Sequence, residues 1–449
     1  MTNTKMKQLA LVGLLIIVFS GPLNAQFSNQ NMDSIHRLSA ADHKLMMDKL
    51  GIASLRSGPS GDPNAPNAAN SHESKVASYV LPELLRFKNG SIVRTVSQWE
   101  KRRLEIFEDF DTQIYGRFPE EIPEVKWELI SEKDSVIGRY PVVIQQLSGV
   151  VNNAAYPEIE VNIAMTLTLP KDAPGKVPVI LKFDWNFPAG FNSNHKDDNP
   201  WQQQLLAEKF GYASLIPTSY QVDNGAGLRE GIIGLVNKGE PRKLDDWGTL
   251  KAWAWGASKA LDYFETHPKI NAKNVAIEGL SRYGKAAMVT MAYDQRFAAG
   301  FIGSAGAGGT KILRRNFGEQ VENLASSYEY HWFAPNFITY AGPLTVDDLP
   351  VDAHHLIALA APRPVFISAG NPSVEGSWID AKGMFLGGLY ASPAYELYEE
   401  RGLTGLEYPG VGEFLSQGKL VFRIHEGGHT VVPNWPYFIS FVKRYFTKP

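Results

Sequence analysis

Cysteine is absent from this 449-residue chain. No disulfide can staple it, no thiol can act as a nucleophile, and no thiolate can hold zinc or accept a lipid. Excess charge is absent too: a formal net of -3 gives no electrostatic case for nucleic-acid binding. Long apolar runs are missing except from Leu9 to Phe19, which is too short to span a bilayer comfortably. That run follows Lys5 and Lys7 and precedes Gly21, Pro22 and Ala25, the layout of a secretory signal cleaved after Ala25. The expectation is an exported protein, periplasmic or secreted, with no stable membrane insertion once residues 1–25 are gone. Core material is abundant, at 44% apolar and 11% aromatic residues, enough for one large domain or two small ones.

Residues 26 to about 56 carry Leu45, Met46, Met47, Leu50 and Ile52, which suggest one short helix. Residues 56–74 are dense in Gly, Pro, Asn and Ser and read as an extended connector without a regular element. From Ser97 to Tyr115, Ile106, Phe107, Phe110 and Ile114 recur at helical spacing, and Pro119 and Pro123 stop the pattern. Strands follow from 127. Val142 to Leu147 is apolar, and Ile159, Val161, Ile163, Met165, Leu167 and Leu169 alternate strictly, as in a half-buried antiparallel strand.

After these entry strands come short, continuously apolar ones: Val177–Phe183, Ala213–Pro217, Val275–Ile277, Phe301–Ile302, Pro364–Ile367 and Leu420–Ile424. Helical periodicity is clearest at Leu250, Trp253, Ala254, Ala257 and Leu261, up to Pro268. The order predicts an α/β fold, a mostly parallel central sheet with antiparallel entry strands and helices on both faces. Residues 26–89 read as an N-terminal extension and 90–449 as one catalytic domain.

Within that order, Asn274 to Asp294 stands out. A short apolar strand runs into Gly279, Leu280, Ser281, Arg282, Tyr283 and Gly284, and then into good helix formers. Strand, tight turn carrying serine, then helix is the context of a nucleophile elbow. The turn lifts the hydroxyl above the sheet and aims a helix N-terminus at charge developing there. A Gly-x-Ser triplet also arises by chance or for packing, and here the second glycine falls at +3 rather than +2. Ser281 is the candidate nucleophile.

A serine nucleophile needs a base within reach and a carboxylate to fix the base's tautomer. In α/β-hydrolases these follow in the order serine, acid, histidine, each after a strand. His425-Glu426-Gly427-Gly428-His429 follows the last apolar strand, and the two glycines let His429 bend back over the sheet. His429 is the expected base, and His425 the expected packing partner. The loop after Pro364–Ile367 offers Glu375 and Asp380. Glu375 is the favoured acid, because it lies nearer the strand end, whereas Asp380 sits at an expected helix start and suits a cap. Oxyanion donors are expected from Arg282 and from the loop Asp184 to Gly190. Lys285, one helical turn beyond Ser281, could face the same mouth, although most lysines are simply solvated.

These residues resemble a known family. Gly279-Leu280-Ser281-Arg282-Tyr283-Gly284-Lys285 is similar to the Gly-x-Ser-Arg-x-Gly-Lys signature of glucuronoyl esterases, carbohydrate esterase family 15. DWNFPAG, RRNFGEQVENL, SWIDAKG and GGHTVVP are similar too, as are DHKLMMDKLGI and GPSGDPNAPN of bacterial members. The resemblance implies an α/β-hydrolase needing no metal or cofactor. It would hydrolyse the ester between (4-O-methyl-)glucuronic acid of xylan and a lignin alcohol, or a small glucuronate ester. It implies Ser281 as nucleophile, His429 as base, Arg282 as oxyanion donor, and Lys285, Glu322, Trp378 and Trp332 as sugar contacts. Many members place their acid in the glycine-rich loop after the next strand, which here is GSAGAGG, Gly303 to Gly309, without a carboxylate. Others take it from the following loop, which implies Glu375. An acetyl-xylan or general carboxylesterase, and a catalytically weak carbohydrate-binding relative, are the alternative readings.

Overall fold

The computed structural model describes residues 21–186, 200–405 and 407–446, with side chains from residue 32 onward. Its ten strands are β1 (Val125–Ile137), β2 (Tyr140–Val151), β3 (Asn162–Pro170), β4 (Val177–Phe183), β5 (Gly211–Ile216), β6 (Ile270–Leu280), β7 (Ala299–Gly303), β8 (Val365–Ala369), β9 (Phe414–Leu415) and β10 (Leu420–Ile424). They form one sheet in the order β1-β2-β3-β5-β4-β6-β7-β8-β10-β9. Six of them, from β5 across to β10, run parallel. β1, β2 and β3 enter antiparallel, and β9 closes the other edge antiparallel.

The parallel strands read as unbroken apolar runs because helices cover both faces. Ile180, Ala276, Phe301, Phe366 and Val421 point to one face, where Leu205, Leu206, Trp435, Phe438 and Phe441 pack on them. Their chain neighbours Leu181, Ile277, Ile302, Ile367 and Phe422 point to the other. That face meets the helices Thr249–Thr266, Arg282–Tyr293, Ala353–Ala358 and Ala381–Glu396. β1 is the exception, largely exposed and charged, at the open end of the sheet.

The N-terminal helix is longer than the pattern of Leu45 to Ile52 suggests, running Gly21–Lys49. Its stabilisation is tertiary rather than intrinsic. Met46 is fully buried, the Tyr330 hydroxyl donates to Asp42 Oδ2 at 2.9 Å, and His43 Nε2 meets the Ala325 carbonyl at 2.9 Å. The expected cleavage point after Ala25 lies in the first turns of this helix, while residues 1–20 lie outside the described residues. Residues 56–75 hold only a 3-10 turn, Glu73–Lys75, and a single bridge between Ser60 and Ala68. Among the described residues no helix is long and apolar enough to cross a membrane.

Candidate active site

Ser281 stands between β6 and the helix Arg282–Tyr293, at φ 61 and ψ -128. A serine at positive φ is uncommon and strained, and such residues persist only where the surroundings over-determine them. Here the Ser281 N–H donates to the Gly303 carbonyl of β7 at 2.9 Å. The turn is so tight that a Cβ at Gly279 would lie 2.1 Å from the Tyr283 carbonyl oxygen, and one at Gly284 would lie 2.6 Å from that of Gly303. Glycine at +3 is therefore required by close backbone approach. The Ser281 side chain makes no capping hydrogen bond to its helix.

The loops after β8 and β10 are sewn together above the same sheet edge. His425 N donates to Ala369 O at 3.0 Å, and Asn371 N to Gly427 O at 2.9 Å. A short helix, Pro372–Glu375, capped by Asn371, ends on the carboxylate expected to be the acid. Glu375 Oε1 lies 2.6 Å from His429 Nδ1, and its Oε2 accepts the Gly370 N–H at 2.5 Å. The Glu375 side chain is 2% exposed and the His429 ring 41%. The carboxylate is thus shielded while the imidazole is partly open to solvent. Val431, two residues on, would meet a Cβ on Gly303, the residue that accepts the Ser281 N–H. The histidine loop therefore lies over the end of the strand next to the serine. His425 is buried beneath it, its Nδ1 accepting the Gly427 N–H at 3.0 Å, and Asp380 caps the helix Ala381–Glu396.

Around Ser281 the charges are arranged in two groups. Arg282 Nη1 donates to Asp223 Oδ2 at 2.5 Å, while Asp223 Oδ1 meets His331 Nε2 at 3.0 Å and accepts from Trp332 Nε1 at 2.7 Å. Burial pushes the Asp223 carboxyl up, but hydrogen bonds and charge from His331, Arg282 and Trp332 outweigh it and hold the group well below the usual carboxylate range. In the second group, Lys285 Nζ donates to the carbonyls of Ala305 and Ala307 at 2.9 and 2.6 Å and to Glu319 Oε2 at 3.4 Å. Trp378 Nε1 donates to the other Glu319 oxygen at 3.2 Å. The glycine-rich loop that lacks an acid thus serves Lys285 with its carbonyls.

Two of the expected sugar contacts, Glu322 and Trp332, are engaged by partners within the protein. Glu322 accepts from Arg56 Nε at 3.1 Å, and Glu319 is the carboxylate at Lys285. The helix begins only at Val321, so Glu322 lies within its first turn while Glu319 sits in the preceding bend. Trp332 is 4% exposed, with Arg282 and Lys285 over its ring at 5.3 and 5.6 Å, so it supports the cations instead of offering an open face. Asp223 and Glu329 join the site without any local sequence signal to mark them. Burial pushes Glu329 up to about 8, with the Glu319 carboxylate adding to it and the Lys285 and Arg282 cations opposing. Of the loop expected to complete the oxyanion donors, Asp184 to Asn186 are described and 187–190 lie outside the described residues. Among the described residues no cluster of three metal-ligating side chains occurs.

Residues 242–398 match the family model described as glucuronyl esterase, fungi. The carbohydrate esterase MZ0003, from an unknown prokaryotic organism, is 30% identical over 421 residues, 85% of this chain and 93% of that protein. A 4-O-methyl-glucuronoyl methylesterase of Cerrena unicolor is 26% identical over 323 residues, 68% of this chain and 61% of that protein. Among solved structures, a CE15 glucuronoyl esterase from Teredinibacter turnerae T7901 superposes with a TM-score of 0.86 at 43% identity, covering 91% of this chain and all of that one. A likeness this extensive, joined to a serine at a strained strand–helix turn, places the chain among the glucuronoyl esterases of carbohydrate esterase family 15, which are carboxylic ester hydrolases.

Proposed function

We propose that the protein hydrolyses esters of glucuronic acid through an acyl-enzyme on Ser281, with His429 as base and Glu375 as the carboxylate that orients it. The observation that carries this is the 2.6 Å contact between His429 Nδ1 and the shielded Glu375. It fixes the tautomer that leaves Nε2 to accept a proton. Ser281 Oγ attacks the ester carbonyl carbon as His429 Nε2 takes its proton. The Arg282 backbone N–H and guanidinium stabilise the oxyanion. Collapse breaks the bond to the alcohol oxygen, which takes the proton from His429. Water, deprotonated by the same imidazole, attacks the acyl-enzyme and releases glucuronic acid and Ser281.

Lys285, Glu319 and Trp378 form the face that recognises the uronate hydroxyls and ring. The substrate is a (4-O-methyl-)glucuronate of xylan esterified to a lignin alcohol, or a small ester of the same acid. Residues 1–25 act as a cleaved export signal that delivers the enzyme to the periplasm or the medium.

The test pairs a benzyl or methyl glucuronate with an aryl acetate, with Ser281→Ala as control. The glucuronate ester is expected to be strongly preferred, and Ser281→Ala to lower kcat by about 10³-fold or more. Equal turnover of both esters would make the protein a general carboxylesterase. Failure of the native chain on every ester would leave only a binding role.

A further inference from the structure

Residues 56–75 have little regular structure, yet they are fastened along the segment that carries Glu319. The Gly318 N–H donates to Asn70 O at 2.8 Å, Asn70 Nδ2 to Asn316 O at 2.8 Å, and Asn323 Nδ2 to Pro59 O at 2.9 Å. This strap also touches Trp378, since a Cβ on Gly61 would lie 3.7 Å from the indole Cζ3. Trp378 is held from below as well, its carbonyl accepting the Glu319 N–H at 3.1 Å.

At the far end of the strap is a chain of charges. Arg315 Nη1 donates to Glu73 Oε1 at 3.0 Å and Nη2 to Glu73 Oε2, while Lys382 Nζ reaches Oε1 at 2.8 Å. Arg315 Nε donates to both oxygens of Asp380, at 3.1 and 2.9 Å. Asp380, two residues past Trp378, adopts φ 54 and accepts the Gly383 N–H at 2.9 Å. The Arg315 and Asp380 side chains are 2% and 1% exposed. The Glu73 side chain is half exposed, so its fork-to-fork pair is steadied by the buried guanidinium and by that group's second carboxylate, Asp380. The strained residue that turns the Trp378 loop into its helix is therefore clamped to the N-terminal strap.

The geometry points to a positioning role for this clamp: Glu73, through Arg315 and Asp380, holds Trp378 in place as the wall of the uronate pocket. The inference rests on the reading of Trp378 as a sugar contact given above. Glu73 and Arg315 act on the sugar only through the Trp378 loop, so they are positioning residues. Losing the clamp loosens the indole and weakens ground-state recognition of the sugar. The chemistry at Ser281 and His429 stays as it was.

The test uses the full chain with Glu73→Gln, read by amide hydrogen exchange over residues 377–386 and by kinetics on methyl glucuronate and an aryl acetate. The Asp380 and Gly383 amides are expected to exchange faster. KM for the glucuronate is expected to rise by about 3- to 30-fold with kcat within about twofold, and the aryl acetate kinetics to stay unchanged. Lys382→Met, which spares the Arg315 pair, is expected to give a smaller effect of the same sign. Unchanged exchange over 377–386 overturns the inference. So does a parallel loss on both esters with a lower Tm, which would mark a general staple of the fold. Faster exchange in a protein whose native form turns over no glucuronate ester would sink the proposed function and leave the clamp standing.

Discussion

Glu375 sees almost no water, and that sets what its replacement should do. With its Oε2 held by the Gly370 N–H and its Oε1 on His429, Glu375→Gln keeps the shape but presents the wrong group to Nδ1. The expected result is a fall in kcat of about 10²- to 10⁴-fold with circular dichroism unchanged, measured on a glucuronate ester. Glu278, three residues before Ser281, makes a different prediction. It is fully buried in β6 with Lys182 Nζ 4.0 Å away. Burial pushes it up to about 7 from an ordinary 4.5, against the pull of the Lys182 ammonium. The native state thus keeps this proton to higher pH than the unfolded chain does, so the group costs stability as pH rises from about 4.5 to about 7. Glu278→Gln should gain Tm relative to wild type across that window and hold the gain above it, which a thermal-shift series in pH reads directly. Residues such as Ser281 and His429 could be singled out in the sequence because chain order and turn chemistry mark them. Asp223 and Glu319 could not, because what defines them is a partner some 30 to 110 residues away.

At the scale of elements, the turn at Ser281 depends on two missing side chains. Gly279→Ala and Gly284→Ala would each drive a Cβ into a backbone carbonyl. A destabilisation of about 1–3 kcal/mol is expected for each, with esterase activity falling further than stability because Ser281 itself is displaced. Denaturant midpoints beside kcat would show the difference. The Glu73 clamp has a pH signature as well. Hydrogen bonding from Arg315 holds the Glu73 carboxyl down at about 2, below its ordinary 4.5. Its stabilisation is present above about pH 4.5 and is lost as pH falls toward about 2, so wild type and Glu73→Gln should converge in Tm there. Strands buried on both faces were the most legible elements: Val177–Phe183 and Leu420–Ile424 match β4 and β10 residue for residue. The core of β6 was readable only at Val275–Ile277, although the strand runs Ile270–Leu280, because its polar ends are fixed by pairing rather than by pattern. The helix over Gly21–Lys49 extends beyond its apolar pattern for a similar reason, since tertiary contacts at Asp42, His43 and Met46 hold it more than its own periodicity does.

For the whole molecule, the N-terminal helix belongs to the folded body. Met46 and Met47 are buried in the same core as β3, β4 and β6, and their burial alone contributes roughly 3–6 kcal/mol. A chain starting at residue 26 should melt with the full-length protein, whereas one starting at residue 51 should melt far lower and expose apolar surface to a hydrophobic dye. The sheet is asymmetric in a way that bears on handling the protein. At one rim β9 has two residues, too few to template another chain. At the other, β1 offers thirteen residues bearing Lys126, Glu128, Glu132, Lys133 and Asp134. Charged side chains along an open strand discourage a neighbouring copy from docking there. Concentrated solutions should therefore stay monodisperse in this respect until those charges are neutralised, at which point light scattering would reveal filament growth beginning from this hairpin.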